Sequence, residues 1–128
     1  MIVIDTSAVI AILGGEPEAS TFLDAINLDA ERAISSATFV ELTIVARRLR
    51  RSIPPYEFLS RYKIAIHPFD EAQAHIAAEA YRRYGRGNHK AALNFGDCFA
   101  YALAKSLDAP LLFRGTDFAA TDVLTSGP

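Results

Sequence analysis

The segment at residues 2–7, with the sequence IVIDTS, predicts the fold of this chain. Its first three residues form a continuous apolar run of β-branched side chains, which is typical of a short strand buried on both faces. Asp5 ends the run, and Thr6 and Ser7 follow it as residues that favour the start of a helix. A buried strand that passes directly into a helix is a typical opening of an α/β domain.

The rest of the chain continues this alternation of strand and helix. Short apolar runs predict further strands at residues 33–35, 64–68, 111–113 and 123–124. Helical spacing and capping signals predict helices at residues 8–13, 17–28, 36–49, 56–62, 70–84 and 99–107. This order predicts an α/β/α sandwich with a mainly parallel central sheet, which binds ligands beyond the carboxyl ends of its strands. Since no repeat or linker interrupts the pattern, we expect a single domain over residues 1–128.

Composition excludes several classes of protein. With 51% hydrophobic and 22% charged residues, the chain is neither disordered nor collagen-like. Its apolar runs are too short to span a membrane and no leader opens it, so we expect a cytoplasmic protein without a membrane partner. The single cysteine, Cys98, excludes a disulfide scaffold and a cysteine-based zinc site, and we expect it to be buried.

Two acids at predicted strand ends are the first candidates for a functional site. Asp5 follows the first strand, and Asp117 follows the strand at residues 111–113 after a short turn. If these strands are neighbours, both carboxylates lie in the crevice at the strand ends. Glu41 on the third helix and Asp97 at the start of the last helix then need only face inward to join them.

Four carboxylates in one pocket call for a cation. Two like charges about 4 Å apart repel each other by about 4 kcal/mol at an effective dielectric constant near 20. The three histidines lack a paired ligand spacing, which leaves oxygen ligands. Such ligands suit Mg²⁺ or Mn²⁺, ions that keep several waters and contact substrate phosphates. The sequence therefore indicates a divalent metal site.

Each of these acids also has a purely structural interpretation. Asp5 can cap the helix that follows it, and Asp117 can cap a one-turn helix. Asp97 can form a capping box with Asn94, three residues before it. Glu41 can point to solvent, although a carboxylate among apolar neighbours is costly to bury unless it is paired or bound to metal. Local sequence leaves these alternatives open. For Asp122, which precedes the predicted final strand, a structural role is expected over a catalytic one.

Taken in order, the motifs resemble a PIN domain and, more narrowly, the VapC-type toxins of bacterial toxin–antitoxin pairs. The resemblance is carried by DTSA at residues 5–8, Glu41 in a helix, NFGDC at 94–98, GTDF at 115–118 and TDV at 121–123. None of these motifs is decisive alone. The ordered set covers nearly the whole chain.

The resemblance implies a function and a set of site residues. The implied activity is Mg²⁺-dependent endonucleolytic cleavage of RNA, with Mn²⁺ as a substitute, inhibited by a cognate antitoxin that occupies the active-site groove. The resemblance also implies a homodimer that assembles further with the antitoxin. The implied catalytic and metal-binding acids are Asp5, Glu41, Asp97 and Asp117, with Asp122 as an accessory acid and Thr6, Ser7 and Thr116 as small hydroxyl residues beside them.

The segregated charge of this chain is typical of solvated helix ends and also suits the RNA phosphates that the resemblance implies. The net charge is only −2, but residues 1–31 carry no basic side chain, whereas basic residues cluster at 47–51 and 82–90. The second cluster lies just before Asp97, so its members are candidates to neutralise RNA phosphates at the rim of the acidic pocket. These candidates are Arg82, Arg83, Arg86, His89 and Lys90, of which Arg82, Arg86 and Lys90 are the predicted RNA-binding residues.

Apolar side chains on helices predict self-association. Phe39, Phe58 and Tyr62 are the residues that we expect at such a face.

Two other acidic metal-binding modules are the main alternatives. A receiver domain requires an aspartate after a mid-chain strand, but the strand at residues 33–35 ends in serine. A metal-dependent adhesion module requires Asp-x-Ser-x-Ser, which Val9 interrupts. A phosphate-binding GxxxxGK[ST] loop is also missing from the sequence.

Overall fold

The computed structural model describes residues 1–50 and 52–126, and strands and helices alternate along them as the sequence predicts. The strands are β1 (Ile2–Ile4), β2 (Arg32–Ser35), β3 (Ile64–His67), β4 (Leu111–Leu112) and β5 (Thr125–Ser126). The helices are α1 (Thr6–Leu13), α2 (Ala19–Leu28), α3 (Ser36–Ala46), α4 (Pro55–Arg61), α5 (Glu71–Tyr84) and α6 (Phe95–Leu107). A short 3₁₀ helix, Asp117–Ala120, lies between β4 and β5.

The five strands form one parallel sheet in the order β3-β2-β1-β4-β5. β1 lies at the centre and pairs with β2 on one side and β4 on the other, with Ile4 opposite Leu112. The chain order along the sheet reverses direction at β1, so the crevice between β1 and β4 is the topological switch point where α/β folds bind ligands. The expectation that the strands preceding Asp5 and Asp117 are neighbours is confirmed.

The central strand β1 alternates its side chains between two apolar cores. Ile2 and Ile4 point to one side, where they pack in a cluster with α1, α2 and α4. Val3 points to the other side and packs with α5 and α6. Because both faces of the strand are covered, β1 is a continuous apolar run rather than an alternating one. The sandwich of helices on both faces of a parallel sheet is confirmed.

The end of the chain departs from the predicted strand. Residues 123–124 were expected to form it, but the structure places the pairing at Thr125–Ser126. Val123 is instead buried in the core against α6, and Leu124 only accepts a hydrogen bond from the Leu111 amide at 2.8 Å. The apolar character of residues 123–124 therefore reflects core packing and not strand pairing. The edge strand Thr125–Ser126 is polar because pairing at the sheet edge requires no apolar side chains.

Helix α3 is shorter than predicted. It ends at Ala46 instead of residue 49, and the amides of Arg47, Arg48 and Leu49 each donate to a carbonyl three residues back. This tighter turn closes the helix before the first basic cluster. Of that cluster, residue 51 lies outside the described residues.

The side chains expected at a self-association face pack in the core or against it. Phe58 is only 1% exposed, and Phe39 and Tyr62 pack against the same cluster. Phe58 and Tyr62 lie 4.8 Å apart between ring centroids. Phe58 therefore fills the space between the helices and the sheet, and the prediction that it lies at an external face is wrong. Phe39 and Tyr62 are partly exposed, and their place at such a face stays a prediction. Cys98, in contrast, is buried as expected.

Within residues 1–50 and 52–126, no helix has the length and apolar character needed to span a membrane.

Candidate active site

Asp5 lies directly after β1 and is 4% exposed. Its amide donates to the Leu112 carbonyl at 3.0 Å, which extends the pairing of β1 with β4. Its Oδ2 accepts hydrogen bonds from the Ser7 amide at 3.0 Å and the Ser7 hydroxyl at 2.6 Å, so Asp5 caps α1. Burial raises the pKa of this carboxyl to about 6, opposed by the bonds from Ser7 and assisted by the charge of Glu41. Both predictions for Asp5, that it follows the first strand and that it can cap the next helix, are confirmed.

Glu41 points into the molecule from α3. The Thr6 hydroxyl donates to its Oε1 at 2.6 Å. On its other side, Oε2 lies against the backbone of Gly96, where an added Cβ would overlap it. Glu41 is therefore held between the first turn of α1 and the first turn of α6, and it is only partly exposed.

Asp97 occupies the third position of α6 and forms the predicted capping box. The Asn94 amide donates to its Oδ2 at 3.0 Å, and the Asp97 amide donates to Asn94 Oδ1 at 2.8 Å. Burial raises the pKa of Asp97 to about 7, and the charges of Asp5, Asp117 and Glu41 raise it further. The other three predicted acids thus lie close enough to Asp97 to raise its pKa.

Asp117 reaches this group from the loop after β4. It is exposed and forms the first residue of the 3₁₀ helix Asp117–Ala120, so it is not the residue that precedes and caps the helix. Thr116 takes that capping position but its side chain makes no capping hydrogen bond.

Asp122 is engaged elsewhere. The Tyr101 hydroxyl donates to its Oδ1 at 2.5 Å, and the Lys105 ammonium lies 3.2 Å from its Oδ2. The hydrogen bond from Tyr101 lowers the pKa of Asp122, and Lys105 lowers it further. Both carboxylate oxygens have partners on α6 beyond its first turn, so the geometry favours a structural role over the accessory metal-binding role.

The donor set fits a hard divalent cation. All four acids present carboxylate oxygens, and the charges that raise the pKa of Asp97 are all negative. Within residues 1–50 and 52–126, no three His, Cys, Asp or Glu side chains are already drawn together as a metal-binding group. Mutual repulsion among carboxylates opposes such an approach, and a bound cation would reverse it.

The basic candidates lie on and before a closed loop beside α6. The Leu93 amide donates to the Tyr84 carbonyl at 2.9 Å and the Arg86 amide to the Leu93 carbonyl at 3.0 Å, which closes the loop at its base. Asn94 and α6 follow immediately, so the loop is anchored next to the helix turn that carries Asp97. Arg86 and Lys90 are exposed on it.

The other basic candidates have partners within the protein. Arg82 donates from Nε and Nη2 to both carboxylate oxygens of Glu79. The Arg83 guanidinium lies 4.8 Å from the centre of the Tyr84 ring. His89 accepts a hydrogen bond from the Ala91 amide through Nδ1, which shapes the loop. Arg86 and Lys90 are thus the better placed of these residues to meet a phosphate.

Gly96 was not among the predicted site residues. Its lack of a side chain is what lets the Glu41 carboxylate approach α6. The only available signal was a glycine in the first turn of a helix, where it costs stability relative to alanine. A glycine there has many possible causes, and the contact with Glu41 depends on a packing of α3 against α6 that local sequence does not define.

Comparison with known families decides the identity of this fold. The PIN domain family model matches residues 2–124 of the chain. The chain belongs to the PIN-domain family. This assignment replaces the receiver-domain and adhesion-module alternatives.

Curated relatives place this PIN domain more narrowly. "Ribonuclease VapC" of Mycolicibacterium smegmatis is 46% identical over 124 residues, covering 94% of this chain and 96% of the relative. "Ribonuclease VapC30" of Mycobacterium tuberculosis is 42% identical over 126 residues, covering 96% of each chain. At these identities and coverages, the PIN domain is a member of the VapC group.

Solved structures share the fold at lower identity. Mycobacterium tuberculosis VapC20, described as a Sarcin-Ricin loop cleaving toxin, has a TM-score of 0.75 at 17% identity and covers 100% of both chains. A toxin–antitoxin complex from Klebsiella pneumoniae has a TM-score of 0.71 at 21% identity, covering 95% of this chain and 93% of that one.

The raised pKa values of Asp5 and Asp97 predict how the stability of the metal-free PIN domain depends on pH. Each carboxyl binds its proton more tightly in the folded state than in the unfolded chain, where aspartate titrates near 3.8. Stability from these groups is therefore complete below about pH 4 and is lost as the pH rises through about 6 and 7. Asparagine at position 97 has no such pH dependence, so the Asp97→Asn variant should gain stability relative to the wild type as the pH rises. With EDTA present, the difference between their free energies of unfolding should be about 1 kcal/mol larger at pH 8 than at pH 5. The full pKa shift of Asp97 corresponds to a free energy several times larger. We expect the smaller value because Asp97 is partly exposed and solvent screens its charge.

Asp70→Asn is the matched control, since Asp70 caps α5 by accepting from the Gln73 amide at 2.9 Å and asparagine retains an acceptor. Urea unfolding of the three proteins at both pH values measures the effect. Equal pH dependence of wild type and Asp97→Asn would contradict it.

Proposed function

We propose that this chain is a metal-dependent endoribonuclease and the toxin of a toxin–antitoxin pair, built as one PIN domain over residues 1–128. Full-length relatives at 42–46% identity carry the name ribonuclease VapC. The observation that carries the proposal is the convergence of Asp5, Glu41 and Asp117 on Asp97 at the carboxyl ends of β1 and β4.

We propose Mg²⁺, with Mn²⁺ as a substitute, as the metal that Asp5, Glu41, Asp97 and Asp117 hold. When bound, such an ion lowers the pKa of a coordinated water and offsets negative charge on a phosphodiester. The role of the protein is to hold the carboxylates in place. Hydrogen bonds from small side chains do this: Ser7 and Asn94 orient Asp5 and Asp97, and the Thr6 hydroxyl orients Glu41.

RNA binding requires cations at the rim of this acidic site. Arg86 and Lys90 are exposed on the loop anchored beside Asp97, and we assign the flanking phosphates to them. Arg82 makes a smaller contribution in this proposal because Glu79 already neutralises its charge. We assign Thr116, which is exposed next to Asp117, to the edge of the same groove.

The proposed protein partner is a cognate antitoxin that covers the acidic groove. Support comes from the toxin–antitoxin complex of Klebsiella pneumoniae, whose chain shares this fold. Since the proposed substrate is RNA, we propose the cytoplasm as the place of action.

We also propose a homodimer that uses α3 and the start of α6. Helix α3 is apolar on both sides, because Leu42 and Ala46 face the core while Val40 and Ile44 are exposed. Phe95 is 75% exposed and lines a groove together with Val40 and Ile44. The face formed by Val40, Ile44 and Phe95 is apolar apart from Glu41 beside it, and a second copy of the same face would bury it.

The first expected outcome concerns cleavage. Partner-free protein should cut RNA from a panel of structured substrates with Mg²⁺ present and should not cut with EDTA. Asp97→Asn should slow cutting by more than about 100-fold, since groups that merely support metal ligands are already worth about 10- to 100-fold. Asp70→Asn removes the same charge at a helix cap on α5 and should cut like the wild type. Cutting that persists in EDTA, or an active Asp97→Asn protein, would overturn the proposed function.

The second expected outcome concerns RNA affinity. Arg86→Ala/Lys90→Ala should weaken binding and flatten the slope of log K against log salt by about 1.4, from about 0.7 per phosphate contact with a single strand. Binding is measured in the Asp97→Asn background to prevent cutting. Arg61→Ala/Lys63→Asn, which removes one arginine and one lysine on and after α4, should leave the slope unchanged. A slope that is unaffected by the first pair would remove these residues from the RNA site.

The third expected outcome concerns assembly. Light scattering on a sizing column should give the mass of two chains for the wild type. Ile44→Glu should give one chain, because a charge would be buried in the interface. Leu28→Glu is the control, since Leu28 is 87% exposed at the end of α2. A monomeric wild type, or a dimeric Ile44→Glu protein, would refute the proposed interface.

A further inference from the structure

Arg114 begins the loop that carries Asp117 and links that loop to Asp5. Its amide donates to the Ser7 hydroxyl oxygen at 2.9 Å. The same Ser7 hydroxyl donates to Asp5 Oδ2 at 2.6 Å. Two consecutive hydrogen bonds therefore connect the first residue of the β4 loop to the buried acid at the end of β1.

The Arg114 side chain ties the loop to a second part of the protein. Its Nε donates to Glu18 Oε2 at 3.2 Å, and its Nη2 lies 3.6 Å from Glu16 Oε2. Both glutamates lie in the connection between α1 and α2. The planar guanidinium suits this contact with two carboxylates in a way that a lysine ammonium does not.

The rest of the loop has few other restraints. Residues 114–117 are all exposed, and Gly115 turns the chain with a φ of 102°. Beyond Arg114, the loop is held at its ends by Phe113 and Phe118, whose ring centroids lie 5.0 Å apart. Asp117 lies within this exposed stretch, so its position depends on how well the loop is anchored.

We propose that Arg114 is a positioning residue that, clamped by Glu16 and Glu18, holds the β4 loop so that Asp117 faces the other acids. This inference rests on the proposed metal site of Asp5, Glu41, Asp97 and Asp117. Arg114 itself contacts neither metal nor RNA in this arrangement. It acts on the site through the backbone of the loop.

Electrostatics alone predicts the opposite effect of removing Arg114. A positive charge near an acidic site repels a divalent cation, so its loss would tighten metal binding. If Arg114 acts by positioning Asp117, its loss weakens metal binding instead. The sign of the change in affinity therefore separates the two effects.

The test is Mn²⁺ binding to metal-free protein by titration calorimetry, without RNA, in a double-mutant cycle. Arg114→Ala should weaken Mn²⁺ binding by at least about threefold, a coupling in the usual range for residues that act together. In an Asp117→Asn background, Arg114→Ala should have no further effect. Unchanged or tighter binding in the single variant would overturn the proposal, and so would an equal loss in both backgrounds.

Hydrogen exchange provides a readout that does not involve metal. In metal-free protein, amides of residues 114–120 should exchange faster in Arg114→Ala than in the wild type, because the loop opens more readily. Arg61→Ala is the matched control, since Arg61 forms an exposed pair with Glu57 at 3.3 Å on α4. Exchange that is equal in Arg114→Ala and the wild type would overturn the clamp.

The same titrations distinguish failure of the inference from failure of the proposed function. If Asp97→Asn weakens Mn²⁺ binding and Arg114→Ala does not, only the role of Arg114 is wrong. If neither Asp97→Asn nor Asp117→Asn changes Mn²⁺ affinity, the metal site itself is wrong and the role of Arg114 is overturned with it.

Discussion

Repulsion among the carboxylates at one edge of the sheet is the constraint on which the site depends. Asp5 and Asp97 both have a raised pKa, caused first by burial and then by neighbouring acids. No local sequence preference gathers these acids, which come from segments far apart along the chain. The parallel sheet gathers them, because β1 and β4 end side by side.

Hydrogen bonds to small polar groups hold the acids where repulsion would separate them. Ser7, Thr6 and Asn94 each donate to one carboxylate at 2.6–3.0 Å. Hydrogen bonds to charged groups contribute about 1.5–3 kcal/mol each. The donors are local to the helix ends, so the bonds that begin α1 and α6 are the bonds that orient the site. Local sequence leaves helix capping and a site role as alternatives for Asp5 and Asp97. In the structure, the hydrogen bonds that cap the helices are the same ones that orient these carboxylates.

The elements with a strong periodic signal could be predicted because their pattern is local. The four acids could be located at strand and helix ends from the sequence, and their role in metal binding stays a prediction. Asp5 and Asp97 each sit in a recognisable strand-to-helix or capping motif, and the resemblance to PIN domains supplied the grouping. The features that sequence reasoning missed or predicted wrongly depend on packing between distant segments. The apolar side chain of Phe58 could pack in the core or at an external face, and only the tertiary fold decides that it is buried in the core. Gly96 matters because α3 presents Glu41 to it, a contact that no local pattern indicates. Asp122 pairs with Tyr101 and Lys105, 21 and 17 residues away, which agrees with the structural role that its position before the final strand suggests.

Charge segregation along the sequence explains why a cation from outside, and not a side chain, is the natural partner of these acids. Residues 1–31 contain no basic residue, so the segment that supplies Asp5 cannot neutralise it. Arg114 is two hydrogen bonds from Asp5, yet its guanidinium is directed to Glu16 and Glu18. The charge of this guanidinium is therefore paired with acids outside the site, while its backbone amide is the part of Arg114 that is linked to Asp5.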